Sequence, residues 1–266
     1  MGGHAGVNRT HDILAARHLP ALRTFARTHV LLAFDYDGTL SPIAPTPERA
    51  RLPATTKRLL VRVARTYPLV VISGRALADI SERVTEIGVQ HVFGNHGLEW
   101  SGGPSRPRAH VHRWVLQLTE QLSGQRGILI EDKAHSVSVH YRSAPNQEEA
   151  LRIIMPIVRR LPEVRIICGA AAVNLLPKDG ANKGVALRRA LELSGCDAAI
   201  YVGDDETDED AFGALRPEKL LSIRIGRSDA SRARYHLDAQ ALIDLFLHAL
   251  IDTRDGDQNG RGHGRV

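Results

Sequence analysis

The chain has 266 residues, 43% of them hydrophobic and 24% charged, the composition of an ordinary globular protein. That length allows one or two domains and a core that needs no disulfide staples. Its apolar runs, such as Val30–Phe34 and Leu69–Ile72, fall far short of the roughly 20 residues that span a bilayer. The 35 Lys and Arg against 30 Asp and Glu give a net charge of +5, and only five of the basic residues are Lys. A basic excess fits nucleic acid, a membrane surface or an anionic substrate. No basic run exceeds two residues and no aromatic-plus-basic patch appears, so the charges read as a solvated surface. No charged-then-apolar signal segment opens the chain, and a cytoplasmic location is expected. Met1-Gly2-Gly3 hints at myristoylation, but that motif wants Ser or Thr where Gly6 stands. Cys168 and Cys196 lack metal-ligand spacing and are expected to be buried thiols in a reducing compartment.

In chain order, Val30–Phe34 is a wholly apolar run ending at Asp35, the pattern of a strand buried on both faces. Residues 54–66 carry apolar positions at helical spacing, Leu69–Ile72 is a second buried strand stopped by Ser73-Gly74, 76–84 is helical, and 91–93 is a short strand. Residues 100–107, rich in Gly, Ser and Pro, read as a linker. The next stretch changes character: a helix at 112–122, strands at 128–132 and 136–141, a helix at 147–161, then strands at 164–168 and 172–176 around Gly169. After it the first rhythm returns, with a helix at 183–193, a strand at 198–202, a helix at 207–215, a strand at 221–225 and a last helix at 239–250. Strands alternating with helices imply a parallel sheet covered on both faces. The middle stretch is an α+β pattern inserted into it. The expected division is a core of residues 1–104 and 178–253, an inserted unit at 105–177, and a disordered tail at 254–266.

The chemistry concentrates at strand ends, where ligands of open α/β sheets collect. Asp35-Tyr36-Asp37-Gly38-Thr39-Leu40 follows the first buried strand and sets two carboxylates and free backbone N–H groups in one tight loop. One carboxylate can attack phosphorus and its neighbour can move the protons; taken alone, the pair equally fits a plain acidic turn. Ser73-Gly74-Arg75 puts a hydroxyl at the same sheet edge, and Asn182-Lys183-Gly184 opens a helix, where the helix terminus and an ammonium together neutralise phosphate charge. Gly203–Asp210 packs six acids into eight residues, a repulsion that a cation or hydrogen bonds must hold; with Asp35 they make an oxygen-rich site suited to Mg²⁺.

These four motifs in this order resemble the haloacid dehalogenase superfamily of aspartate-dependent phosphatases. Further segments narrow the resemblance to the trehalose-6-phosphate phosphatase family: Gly94-Asn95-His96-Gly97-Leu98-Glu99, and Glu131-Asp132-Lys133 followed by His140-Tyr141-Arg142. The resemblance runs from about residue 30 to residue 250. It implies an α/β fold, a Rossmann-like parallel-sheet haloacid dehalogenase core with an inserted α+β cap domain, and hydrolysis of trehalose 6-phosphate. On this resemblance Asp35 is the nucleophile and Asp37 the general acid/base, while Ser73 and Lys183 bind the transferring phosphoryl group beside Gly38 and Thr39. Mg²⁺ is held by Asp35, the Asp37 carbonyl and Asp204, with Asp205 and Asp208 in support. Arg75, Asn95, His96, Gly97, Glu99, Lys133, His140 and Arg142 are candidates to meet the substrate. The family pattern places a Glu at the position of Asn174 and a basic residue at that of Leu176, so Asn174 is expected to meet a sugar hydroxyl and another sugar phosphate or glycosyl-glycerate phosphate is the alternative substrate. The expected partner is a small sugar phosphate, with no nucleic acid and no membrane, and a monomer is expected with a dimer as the alternative. A binding module for nucleic acid is the rival from another class, and the gathered acids argue against it.

Overall fold

The computed structural model describes residues 10–103, 109–169, 171–178 and 180–261. The chain opens with β1 (His11–Asp12), α1 (Leu19–Arg27), β2 (Val30–Phe34), α2 (Ala54–Ala64) and β3 (Leu69–Ile72). There follow α3 (Leu77–Val84), β4 (His91–Gly94) and β5 (Glu99–Trp100). The middle holds α4 (Ala109–Gln121), β6 (Leu129–Asp132), β7 (Val137–His140), α5 (Gln147–Val158), β8 (Val164–Gly169) and β9 (Ala172–Pro177). The rest is α6 (Lys183–Ser194), β10 (Ala198–Gly203), α7 (Glu209–Phe212), β11 (Leu220–Ile225), β12 (Tyr235–Leu237) and α8 (Ile243–Arg261).

Eight strands form one sheet in the order β1-β12-β11-β10-β2-β3-β4-β5. Every pairing is parallel except β4 with β5. The sheet's central strand shows why its sequence is apolar throughout. Val30, Leu32 and Phe34 of β2 face one cluster with Leu22, Leu60 and Phe246, under α1, α2 and α8. Leu31 and Ala33 face the opposite cluster with Leu187, Ala190 and Phe212, under α6 and α7. Both faces are covered, so no position of the strand tolerates a polar side chain.

A second sheet, β6-β7-β9-β8, is antiparallel throughout. One face packs on α4 and α5 through Trp114, Leu118, Ile154, Val139 and Val173. The pleat sends alternate residues the other way, so Glu131, Ser138 and Asn174 lie in register across three strands, on the face away from the helices.

Several expectations need correction. The helix expected at 207–215 is a 3₁₀ turn, Glu206–Asp208, followed by the four residues of α7. A capping box closed by Asp205 and Asp208 consumes the first turn. The last helix starts at Ile243 after a 3₁₀ turn and continues to Arg261, through most of the tail expected to be disordered; residues 262–266 lie outside the described residues. So do residues 1–9, with the myristoylation motif, and 104–107 of the expected linker. Cys168 is exposed, whereas Cys196 is buried as expected, because Cys168 stands at the end of the edge strand β8, next to Gly169. Among the described residues no helix is long and apolar enough to cross a membrane.

Candidate active site

The carboxyl ends of β2, β3, β4 and β10 meet the open face of the second sheet around a cavity of about 700 Å³. Asp35 leaves β2 at its floor and is 4% exposed. Gly38, three residues on, has φ +81°, and a Cβ there would run into the Asp204 carboxylate. Only glycine adopts that turn while letting Asp204 close over the loop. Thr39 Oγ1 donates to Asp204 Oδ1 at 3.3 Å, and Gly38 N–H donates to the Ser41 carbonyl at 2.7 Å.

Lys183 is the first residue of α6, whose cap Asn182 accepts from the Val185 N–H at 2.9 Å. A helical side chain leans towards the N-terminus, which carries the ammonium back to the end of β2. It lies 3.0 Å from Asp35 Oδ1 and 2.8 Å from Asp208 Oδ1, only 2% exposed. Burial alone would lower its pKa, but Asp208 and Asp35 raise it above the usual lysine range, so the ammonium stays charged.

Asp208 is fully buried and saturated with donors. Its Oδ1 accepts from Lys183 and from the Tyr201 hydroxyl at 2.6 Å, and its Oδ2 accepts from the N–H groups of Asp204 and Asp205 at 3.0 and 2.9 Å. Gly203 has to be glycine, because a Cβ would strike the Asp208 carboxyl. Asp205 caps the Glu206 N–H at 2.6 Å. Asp35, Asp204 and Asp208 form the one group of acids, among the described residues, that could hold a metal ion. With Asp208 saturated, Asp35 and Asp204 offer the free oxygens. Burial pushes the Asp204 carboxyl up to about 7, helped by Asp208, and burial raises Asp35 well above the usual carboxylate range despite Lys183. Two buried acids that repel protons' loss are what a hard divalent cation relieves, and an all-oxygen set fits Mg²⁺.

Asp37 does not stand free. Arg75 donates to its Oδ2 from Nε and to its Oδ1 from Nη2, both at 2.7 Å. The same guanidinium reaches Asp79 Oδ2 at 2.7 Å and the Pro47 carbonyl at 2.8 Å, so Arg75, a candidate to meet the substrate, lines the cavity with its donors committed to protein partners. Ser73 is fully buried; its Oγ accepts from the Arg75 N–H at 3.2 Å, and the residue does not line the cavity.

The Gly94–Glu99 segment divides. His96 lines the cavity, and burial, with the charges of Lys183, Lys133 and Arg165, holds its pKa well below the usual histidine value. Asn95 and Glu99, candidates to meet the substrate, do not line it. Asn95 Nδ2 donates to Glu99 Oε1 at 2.6 Å and to the Lys133 carbonyl at 2.9 Å, and Ser136 Oγ donates to Asn95 Oδ1 at 2.7 Å. They brace β4 to the hairpin between β6 and β7. Gly97 packs against the start of α6, and Gly38 and Thr39 likewise lie behind the cavity wall.

Lys133, His140, Arg142 and Asn174 all line the cavity. Lys133 Nζ donates to the Gly74 carbonyl at 3.0 Å, and Arg142 donates to the Ala44 carbonyl. Ser138 Oγ donates to Asn174 Oδ1 at 2.7 Å. Leu176 is 1% exposed, so no side chain reaches the cavity from that position. Glu131, which carried no assigned role, lies 2.8 Å from His140 Nε2 and 3.6 Å from Lys133 Nζ. Burial would raise its pKa, but His140 and Lys133 bring it below the usual range. Asp79 and Arg83 also line the cavity; helical spacing along α3, with both on the face of the Arg75 loop, is the signal that would have found them.

A buried carboxylate at the end of β2, in a parallel sheet with an α+β insertion, is the architecture of the haloacid dehalogenase-like fold. The fold matches a solved haloacid dehalogenase-like hydrolase from Bacteroides thetaiotaomicron at a TM-score of 0.59 and 14% identity, over 83% of this chain and 98% of that one. Within the class the chain belongs to the trehalose-phosphatase family, whose model matches residues 33–241. It is 31% identical over 248 residues to a trehalose-phosphate phosphatase of Mycolicibacterium paratuberculosis, covering 85% of this chain and 63% of that relative's length. The C-terminal domain of C. albicans trehalose-6-phosphate phosphatase shares the fold at a TM-score of 0.78 and 22% identity, over 91% of this chain and 99% of that one.

Proposed function

We propose that the protein is a Mg²⁺-dependent phosphatase that hydrolyses trehalose 6-phosphate through an aspartyl-phosphate. The observation that carries this reading is the buried Asp35 carboxylate 3.0 Å from the Lys183 ammonium, within the segment that matches the family. Asp35 attacks phosphorus while the bond to the sugar oxygen breaks, and Asp37 gives that oxygen its proton. Asp37 then takes a proton from water, which attacks the same phosphorus and frees Asp35. Lys183, fixed by Asp208, neutralises charge on the phosphoryl oxygens. Mg²⁺ held by Asp35, Asp204 and the Asp37 carbonyl would supply further charge neutralisation there. Residues 105–177 act as the cap and the remaining residues to 253 as the catalytic core; Lys133, His140, Arg142, His96 and Asn174 meet the sugar and exclude water from the cleft.

Release of trehalose and phosphate from trehalose 6-phosphate tests the reading. Asp35→Asn should lower kcat by at least about a thousandfold while the chain stays folded by far-UV circular dichroism, and EDTA should stop turnover until Mg²⁺ is returned. Full activity of Asp35→Asn would overturn the mechanism. A second substrate is favoured by one observation: a neutral Asn174 lines the cavity where the family places a Glu. A higher kcat/KM on glucose 6-phosphate or a glycosyl-glycerate phosphate would replace trehalose 6-phosphate as the substrate.

A further inference from the structure

Arg75 has every attribute of a substrate-binding arginine except availability. It is 8% exposed, and its guanidinium lies 5.5 Å over the Tyr36 ring, between Asp35 and Asp37 in sequence. Two of its nitrogens meet the two carboxylate oxygens of Asp37 in parallel at 2.7 Å. That fork-to-fork geometry fixes the plane as well as the position of a carboxylate. The guanidinium is fixed in turn by Asp79 and the Pro47 carbonyl. Asp79 is itself held at 2.9 Å by Arg83 Nε, and Arg83 donates to the Ala50 carbonyl at 2.6 Å. A side chain so committed cannot swing to a sugar or a phosphate without breaking four contacts. Asp37, by contrast, keeps a side chain 41% exposed towards the cavity.

We infer that Arg75 is a positioning residue for Asp37, aiming the proton donor at the leaving-group oxygen, and that it does not bind substrate. The inference rests on the phosphatase reading above. When Asp35 forms its bond to phosphorus and the bond to the sugar oxygen breaks, the electron pair stays on that oxygen, which takes the proton of Asp37. A sugar alkoxide is a poor leaving group and needs this proton. A p-nitrophenolate leaves without one. A misplaced Asp37 therefore slows departure of the sugar and spares departure of the aryl group, while its later task of taking a proton from water is common to both esters.

The experiment compares Arg75→Met with the unaltered chain on trehalose 6-phosphate and on p-nitrophenyl phosphate, with Tm as the control for folding. General acid catalysis contributes roughly 10²–10⁴-fold, so kcat on the sugar phosphate should fall by roughly tenfold to a hundredfold, with KM changed by less than about threefold. With enzyme in excess, release of p-nitrophenol in a single turnover, which reports the first step alone, should slow by less than about threefold. In an Asp37→Asn background Arg75→Met should cost no more than about a further twofold, since the group it positions is already gone. Arg75→Lys, which keeps the charge but not the fork, should lose most of the same activity; it also serves if Arg75→Met does not fold. A raised KM with unchanged kcat would make Arg75 a substrate ligand and overturn the inference. Equal losses in the single-turnover first step on both esters, or an additive loss beside Asp37→Asn, would reduce it to a structural role. If the unaltered chain hydrolyses neither ester, the phosphatase reading itself falls and takes this inference with it.

Discussion

Replacing Lys183 by Met tests whether one buried ammonium holds the acidic floor together. The change keeps the length of the side chain and removes the charge. In the native site the ammonium lies 3.0 Å from Asp35 and 2.8 Å from Asp208, with all three side chains at most 5% exposed. At an effective dielectric of about 20, a pair of unit charges at about 3 Å attracts by roughly 5 kcal/mol before desolvation is subtracted. Removing one partner of such a buried pair costs about 3–5 kcal/mol, because the other charge is left uncompensated. Asp208 keeps its hydrogen bonds from Tyr201 and from the N–H groups of Asp204 and Asp205. Asp35 loses its cation and still faces Asp204. The cost should therefore fall on Asp35, and Asp35→Asn added to Lys183→Met should recover at least about 1 kcal/mol. Urea unfolding followed by far-UV circular dichroism, at pH 7 with EDTA present, measures both. A loss below about 1 kcal/mol, or a double variant no more stable than the single one, would refute this account of the floor.

Gly38→Ala forces an alanine to φ +81° and drives its Cβ into the Asp204 carboxylate. The left-handed backbone alone costs about 1–2 kcal/mol, so Tm should fall several degrees at roughly 2–4 °C per kcal/mol, and calorimetry should show weaker Mg²⁺ binding. The folded protein holds His96 neutral, its pKa lowered first by burial and then by Lys183, Lys133 and Arg165. Its contribution to stability is thus complete above the unfolded-state value near 6.5 and is lost as pH falls below it, by up to about 1.4 kcal/mol per pH unit. Urea midpoints between pH 7.5 and 5 should show this slope, and His96→Gln should flatten it; an unchanged slope would show that another group sets it.

The central strands and the acids gathered at their ends were legible because both rest on local pattern. Val30–Phe34 and Ala198–Gly203 are apolar at every position and end on Asp35 and Asp204, and Lys183 directly follows a capping Asn. What failed was whatever depends on which way a polar side chain turns. Asn95 and Glu99 carry the chemistry of sugar ligands, yet Ser136 and the Lys133 carbonyl claim Asn95, and Asn95 and the Leu77 N–H claim Glu99. Nothing in their own segment announces a partner 38 residues away. The short strands His11–Asp12 and Tyr235–Leu237 escaped because two or three residues carry no period; they exist through pairing with each other and with β11. Cys168 continues an apolar run, but its strand borders no further strand on one side, and burial there ends before the run does.

The Ser73-Gly74-Arg75 loop joins parts of the site that the sequence presents separately. Its backbone is stitched to the loop after β4, with Ser73 N–H on the Phe93 carbonyl at 2.8 Å, His96 N–H on the Ser73 carbonyl at 2.9 Å and Asn95 N–H on the Arg75 carbonyl at 2.7 Å. The second sheet grips the same three residues, since the Gly74 carbonyl accepts from Lys133 and the Lys133 carbonyl in turn accepts from Asn95. Arg75 then clamps Asp37. The carbonyl that Lys133 holds thus belongs to the residue before the one that orients the Asp37 carboxylate. Any displacement of the β6–β7 hairpin that breaks the Lys133 contact frees the carbonyl of Gly74, the residue next to the arginine. Burial lowers the pKa of Lys133, and Glu131, 3.6 Å away, opposes that fall. The lysine's grip on a neutral carbonyl is therefore strongest while Glu131 remains ionised beside it, which ties Glu131 on the second sheet to the geometry of Asp37 on the core.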